Sequence, residues 1–260
     1  MKKKALYRNY PVYYTTAGSG SPVVLLHGFA EDGAIWKQQV HHLQQRFFLI
    51  APDLPGSGDS VEWKDVSMEA LAEAVKEILA AENISQVTVI GHSMGGYVAL
   101  AFTEKYPELI KALGLFHSTS YADNEEKKMN REKSIAFIRG HGTYPFLKQT
   151  TPNLFGDTFK KAHPEKINEL IEEYRDFRPD TLIAYYEAMM ERPDRSEILR
   201  VFTRPVLFIA GADDTLIPVK DMLEQGHLPN ISYFHILKAS GHMGMWEEES
   251  ESNRLLQEFL

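Results

Sequence analysis

Apolar residues gather along this chain in short runs rich in β-branched and aromatic side chains, and between the runs they recur at helical spacing. The runs predict strands at residues 12–16, 23–26, 47–51, 87–90, 112–116, 206–210 and 231–237. The turn Ala17-Gly18-Ser19-Gly20 predicts a hairpin joining the first two. Between the third and fourth strands, Met68, Leu71, Ala72, Val75, Ile78 and Leu79 lie on one helical face behind Ser67, a residue suited to an N-cap. This segment reads as a crossover helix. Strands alternating with such helices make an α/β protein, with a mostly parallel central sheet and helices on both faces.

The alternation stops after Phe116 and resumes only at Arg204-Pro205-Val206, too long a connection to be structureless. Two helical faces show within it, Ile167, Leu170, Ile171, Tyr174 and then Leu182, Tyr185, Tyr186, Met189. The expected organisation is therefore a core in two parts, residues 1–120 and 197–260, interrupted by a helical cap at 121–196.

With 260 residues, 43% of them hydrophobic, the chain can bury a full core. Its net charge of -8 disfavours nucleic acid and anionic membranes as partners, and no run approaches the length of a membrane helix. Lys2-Lys3-Lys4 is charged like the front of a signal peptide, but no apolar stretch follows before Arg8-Asn9-Tyr10-Pro11. A cytoplasmic location is the expectation. The absence of cysteine removes disulfides, thiolate metal sites and a cysteine nucleophile.

The chemistry centres on Gly91-His92-Ser93-Met94-Gly95, directly after the run Val87-Thr88-Val89-Ile90 and ahead of the apolar helix from Gly96. This is the G-x-S-x-G nucleophile elbow in its strand-turn-helix setting. A serine nucleophile needs a base, a group that orients the base, and donors for the oxyanion. Gly211-Ala212-Asp213-Asp214 follows one late strand and Ser240-Gly241-His242 follows the last, so the order is Ser, Asp, His. The ends of parallel strands meet at one crevice, where residues remote in sequence converge. His242 is the candidate base, and either Asp213 or Asp214 the acid.

These segments, with Leu25-Leu26-His27-Gly28-Phe29 and Asp53-Leu54-Pro55-Gly56-Ser57-Gly58, make the chain resemble an α/β-hydrolase of the small, cap-bearing esterase, lactonase and C-C hydrolase group over nearly its whole length. The resemblance implies the α/β-hydrolase fold, selects Asp214 as the acid, and implies an oxyanion hole from the amides of Phe29 and Met94. His27 and His92 then read as residues shaping the surrounding loops, and Asp53 as an anchor for the Pro55-Gly56-Ser57-Gly58 loop. Trp36, His117 and Tyr185 are candidates for the substrate pocket. Ser118, Ser120 and the aromatics Phe137, Tyr144, Phe146 and Tyr186 are further pocket candidates.

No cofactor is expected: Gly56-Ser57-Gly58 lacks the rest of a dinucleotide fingerprint, no phosphate loop is present, and adjacent His41 and His42 diverge on a helix, which disfavours a shared metal. The expected protein is a serine hydrolase of small carboxylic esters, a monomer or weak homodimer. The alternatives are a lactonase or a C-C bond hydrolase or lyase using the same triad, or a small-molecule receptor that retains the triad. No arginine cluster clearly marks a dicarboxylate pocket in the sequence.

Overall fold

In the computed structural model, which describes residues 1–61, 63 and 65–260, eight strands form one sheet. They are β1 (Lys2–Tyr7), β2 (Tyr10–Ala17), β3 (Ser21–Leu26), β4 (Phe47–Pro52), β5 (Val87–His92), β6 (Ile110–Phe116), β7 (Val206–Gly211) and β8 (Ser232–Leu237), in the order β1-β2-β4-β3-β5-β6-β7-β8. β1 pairs antiparallel with β2 and β2 with β4, whereas every pairing from β4 to β8 is parallel. The seven predicted strands are all present.

Two readings are corrected. The sequence reading has no counterpart of β1, whose three lysines break the apolar pattern on an edge strand. The predicted hairpin between β2 and β3 does not form, because β4 lies between them. β2 alternates in burial and suits the outer part of the sheet, while β3 from Val23 onward is buried throughout and belongs inside it. The hairpin is instead β1–β2, closed by Arg8 and Asn9, both at positive φ (49° and 70°) as a two-residue turn of this hand requires.

The buried strands feed two cores by simple alternation. Val24 and Leu26 of β3 point into one core, Val23 and Leu25 into the other, and β7 divides Val206, Phe208 and Ala210 from Leu207 and Ile209 in the same way. After α1 (Lys37–Leu43), the crossover helix α2 (Met68–Ala81) and α3 (Met94–Lys105) pack Leu71, Val75, Val98 and Phe102 into the first core. Ser67 caps α2 as expected, accepting a hydrogen bond from the Ala70 amide at 3.1 Å.

Between β6 and β7 the chain is helical: α4 (Glu125–His141), α5 (Thr143–Thr150), α6 (Asp157–Ala162), α7 (Pro164–Glu173), α8 (Pro179–Glu191) and α9 (Ser196–Val201). The two predicted helical faces fall on α7 and α8. Phe146, Leu147, Leu170 and Leu182 of this insertion join the second core, Tyr185 and Met189 the first. The chain ends with α10 (Val219–Gly226), then α11 (Gly244–Glu247) and α12 (Glu249–Phe259), the last placing Leu255 and Leu256 beside Leu43 of α1 in the second core. Among the described residues, no helix is long and apolar enough to cross a membrane.

Parallel pairing in register sets Gly91 opposite Leu26 and Leu115, Phe116 opposite Ile209, and Gly211 opposite Leu237. The loops leaving β3, β5, β6, β7 and β8 therefore open along one edge of the sheet.

Candidate active site

Ser93 is the single residue between β5 and α3, and its backbone is held at φ 50°, ψ −117°, outside the regions a side-chain-bearing residue prefers. Such a conformation costs on the order of 1–3 kcal/mol and persists only where the surroundings enforce it. Here the Ser93 amide donates to Phe116 O at 3.0 Å, and the Ser118 hydroxyl donates to Ser93 O at 2.7 Å. The flanking glycines are required by space: a Cβ on Gly91 would lie 2.2 Å from Gly95 O, and one on Gly95 would lie 2.4 Å from Leu26 O. β5, the turn and α3 thus press against β3 closely enough to leave no room for a side chain on either flank.

Asp214, just beyond β7, is buried and accepts hydrogen bonds from the Leu216 and Ile217 amides at 2.9 and 3.0 Å through Oδ1. Its Oδ2 faces two imidazoles, His242 Nδ1 at 2.8 Å and His117 Nδ1 at 3.1 Å. Asp213 is exposed and takes no part. His117 Nε2 accepts from the Gly244 amide at 3.3 Å, which assigns the His117 proton to Nδ1 and makes it a donor to Asp214. Burial pushes His117 down to about 4, so it stays neutral. Burial works against the charge of Asp214, but electrostatic attraction to His242 and the hydrogen bonds from both imidazoles prevail and hold its carboxyl well below the usual carboxylate range. The ligating atoms of His117, Asp214 and His242 lie within 4.8 Å of one another, near enough to gather around a cation. The proton on His117 Nδ1 occupies the position a metal would need, so the cluster fits a hydrogen-bonded relay better than a metal centre.

A second buried pair stands behind the serine. Glu31 Oε2 accepts from the Gly28 amide at 2.7 Å and lies 3.1 Å from His92 Nδ1, while His92 Nε2 donates to His242 O at 3.0 Å. Burial opposes charge on both groups. Their mutual attraction and hydrogen bond outweigh it, leaving Glu31 below its ordinary range and His92 above. The pair links the loop after β3, the elbow and the loop after β8. Glu247 does similar work from α11, accepting from the Gly156 amide at 2.7 Å and the Met243 amide at 3.0 Å. Neither glutamate stands out in the sequence, because a lone carboxylate in a polar loop carries no periodic or motif signal.

Ser93 and His242 line one cavity of about 480 Å³, with Phe29, Tyr97, Phe146, Tyr186, Met189 and Ile217 among its walls. Neither Ser93 Oγ nor His242 Nε2 is engaged by a protein group among the described residues. Phe29 lines the same space, and neither its amide nor that of Met94, the residue after Ser93, donates to a protein acceptor among the described residues. Met94 opens a helix, so its N–H has no partner within it.

Several pocket candidates are corrected. Trp36 is fully buried in the core, edge-on to His92 and Phe116, since the turn at Gly33–Trp36 faces the sheet. His117 lies beneath the cavity against Asp214. Tyr185 is fully buried and donates to Pro55 O at 2.9 Å, while its neighbour Tyr186, about 100° around α8, is the one that faces the cavity. Ser118 supports the elbow and Ser120 donates to Gln225 Oε1 at 2.8 Å, so neither lines the cavity. Phe137 and Tyr144 are also outside its walls, and Phe146 is within them.

Of the remaining loop residues, His27 holds the start of the loop after β4, and Asp53 holds the residue that follows Gly58 rather than the amides of residues 55–58. His27 Nε2 accepts from the Leu54 amide at 2.9 Å, and Asp53 accepts from the amides of Gly33 and Asp59, both at 3.1 Å.

A family model described as alpha/beta hydrolase fold matches residues 21–249. The chain belongs to this family. As an alpha/beta hydrolase it is 27% identical over 264 residues to a 2-hydroxy-6-oxononadienedioate/2-hydroxy-6-oxononatrienedioate hydrolase of Paraburkholderia phymatum, covering 96% of this chain and 90% of that protein. A thermophilic esterase from Thermogutta terrifontis superposes with a TM-score of 0.92 at 28% identity, covering 100% of this chain and 97% of that one. An uncharacterized protein of Mycobacterium tuberculosis is 39% identical over 101 residues, which span 38% of this chain and only 30% of that relative.

Proposed function

We propose that the protein is a serine hydrolase of small carboxylic esters. The observation that carries this reading is the pairing of Ser93, held in a strained turn, with the Asp214–His242 hydrogen bond at a single cavity. In the proposed cycle His242 Nε2 takes the proton of Ser93 as Oγ attacks the ester carbonyl. Asp214 fixes the proton of His242 on Nδ1, leaving Nε2 as the base, and stabilises the imidazolium that forms. The Phe29 and Met94 amides donate to the oxyanion, a type of contact worth about 3–4 kcal/mol per donor to the transition state. His242 then protonates the leaving alcohol, and a water activated by the same imidazole hydrolyses the acyl-enzyme.

In this reading residues 121–196 act as a cap on a core formed by residues 1–120 and 197–260. The cap supplies much of the pocket through Phe146, Tyr186 and Met189, and specificity resides there. A C-C bond hydrolase using the same triad is the second reading, favoured by the near full-length match to a hydrolase of that name.

Purified protein and its Ser93→Ala variant assayed on p-nitrophenyl esters of short to medium acyl chains test the proposal. Turnover that falls by roughly a millionfold, to the assay floor, in the variant is the expected result. Absence of turnover by folded wild type would overturn ester hydrolysis in favour of the C-C reading.

A further inference from the structure

A pair of arginines converges on one buried carboxylate, and one of the two, Arg131, lines the cavity. Asp123, whose side chain is fully buried, accepts from Arg131 Nε at 2.5 Å and Nη2 at 3.3 Å, and pairs with Arg192 Nη1 at 2.9 Å. Arg192 is otherwise consumed: it donates to Met189 O at 2.5 Å and Tyr121 O at 2.8 Å, and its guanidinium lies 3.8 Å from the centre of the Tyr97 ring. Two guanidinium groups that cannot lose their protons share one anion, which leaves one positive charge without a carboxylate partner among the described residues.

That charge belongs to Arg131. Asp123 occupies one edge of its planar fork, the edge formed by Nε and Nη2. The other edge, formed by Nη1 and the second Nη2 proton, has no protein acceptor among the described residues. The side chain is 18% exposed, lines the same cavity as Ser93 and His242, and lies 5.4 Å from the centre of the Tyr186 ring. The other carboxylates here do not neutralise it: Glu31 is paired with His92, Asp214 with two imidazoles, and Glu126 is exposed, one residue from the half-buried Lys127.

We propose that the free edge of Arg131 binds a carboxylate carried by the substrate away from its scissile bond, so that the preferred substrates are acid-bearing, such as half-esters of dicarboxylic acids. For the reaction this rests on the serine-hydrolase reading; for binding it stands alone. The geometry also explains the arrangement around Arg131: Asp123 orients the fork, and Arg192 keeps that carboxylate anchored.

Calorimetric titration of the Ser93→Ala protein, which cannot turn substrate over, provides the test. The probes are the monomethyl esters of succinate, adipate and suberate, each beside its dimethyl ester. The best half-ester is expected to bind about 10- to 100-fold tighter than its diester, as a charge-assisted hydrogen-bonded pair would give. In Ser93→Ala/Arg131→Gln the ratio is expected to fall to about one, and Arg131→Lys, which keeps the charge without the fork, to fall between. Arg192 still pairs with Asp123 in these variants, and a thermal melt confirms folding; if the glutamine variant fails to fold, the lysine variant decides.

Equal binding of half-ester and diester, binding of neither, or a preference that survives both substitutions would overturn the proposal. Turnover by wild type, measured in parallel, separates the two readings. Hydrolysis without acid preference would sink this proposal and leave the esterase standing, whereas preference without hydrolysis would do the reverse.

Discussion

At the scale of single residues, the site depends on which protons are fixed by hydrogen bonding. His117 is neutral and points its proton at Asp214, so the acid receives two imidazole donors and two amide donors on two oxygens. Because burial depresses His117 from 6.5 to about 4, the unfolded chain takes up a proton that the folded chain refuses between those values. Its contribution to stability is therefore present above pH 6.5 and is lost as pH falls toward 4, at up to about 1.4 kcal/mol per pH unit. Asp214, held low in the folded state, loses stability in the same direction below the normal aspartate range. Urea unfolding followed from pH 7 to pH 4.5 should show this decline, and the His117→Gln variant should show a shallower one. An unchanged slope in the variant would mean that His117 does not titrate as assigned.

At the scale of elements, the elbow is a packing problem solved by glycine. Gly95 sits against the main chain of Leu26 and His27, where no flexible side chain can move aside. Gly95→Ala must push α3 away from β3 and carry Ser93 with it. The expected outcome is destabilisation of about 1–3 kcal/mol together with loss of the ester hydrolysis proposed above; a melt and an activity assay on the same sample check both. Strands and helices were legible because most of the runs are buried and strongly patterned, and the elbow because its glycines obey a fixed spacing. β1 was not, since an edge strand buries only every second residue and here fills the others with lysine and leucine. Strand order was equally hidden, as the insertion of β4 between β2 and β3 follows from burial on both faces and not from any local turn signal.

Across the whole molecule, the His92–Glu31 pair ties three strand ends together through Gly28, the elbow and the main-chain oxygen of His242. Glu31→Gln leaves a buried imidazolium without its counter-ion, so a loss of about 3–5 kcal/mol in unfolding free energy is expected, measurable by urea titration at pH 7. A cost below about 1 kcal/mol would show that the pair is not charged. The sequence by itself determined the mostly parallel sheet, the crossover helix, the helical insertion and the chain order of Ser93, an aspartate at 213 or 214, and His242, because periodicity and glycine spacing are local signals that survive without partners. Only the tertiary structure decided that Tyr186 and not Tyr185 faces the cavity, that Trp36 belongs to the core, that Glu31 and Glu247 brace the loops, and that Arg131 and Arg192 share Asp123. Those are matters of which side chains meet across distant elements, and a buried charge reveals its role only once the neighbours that balance it, or fail to, are in place.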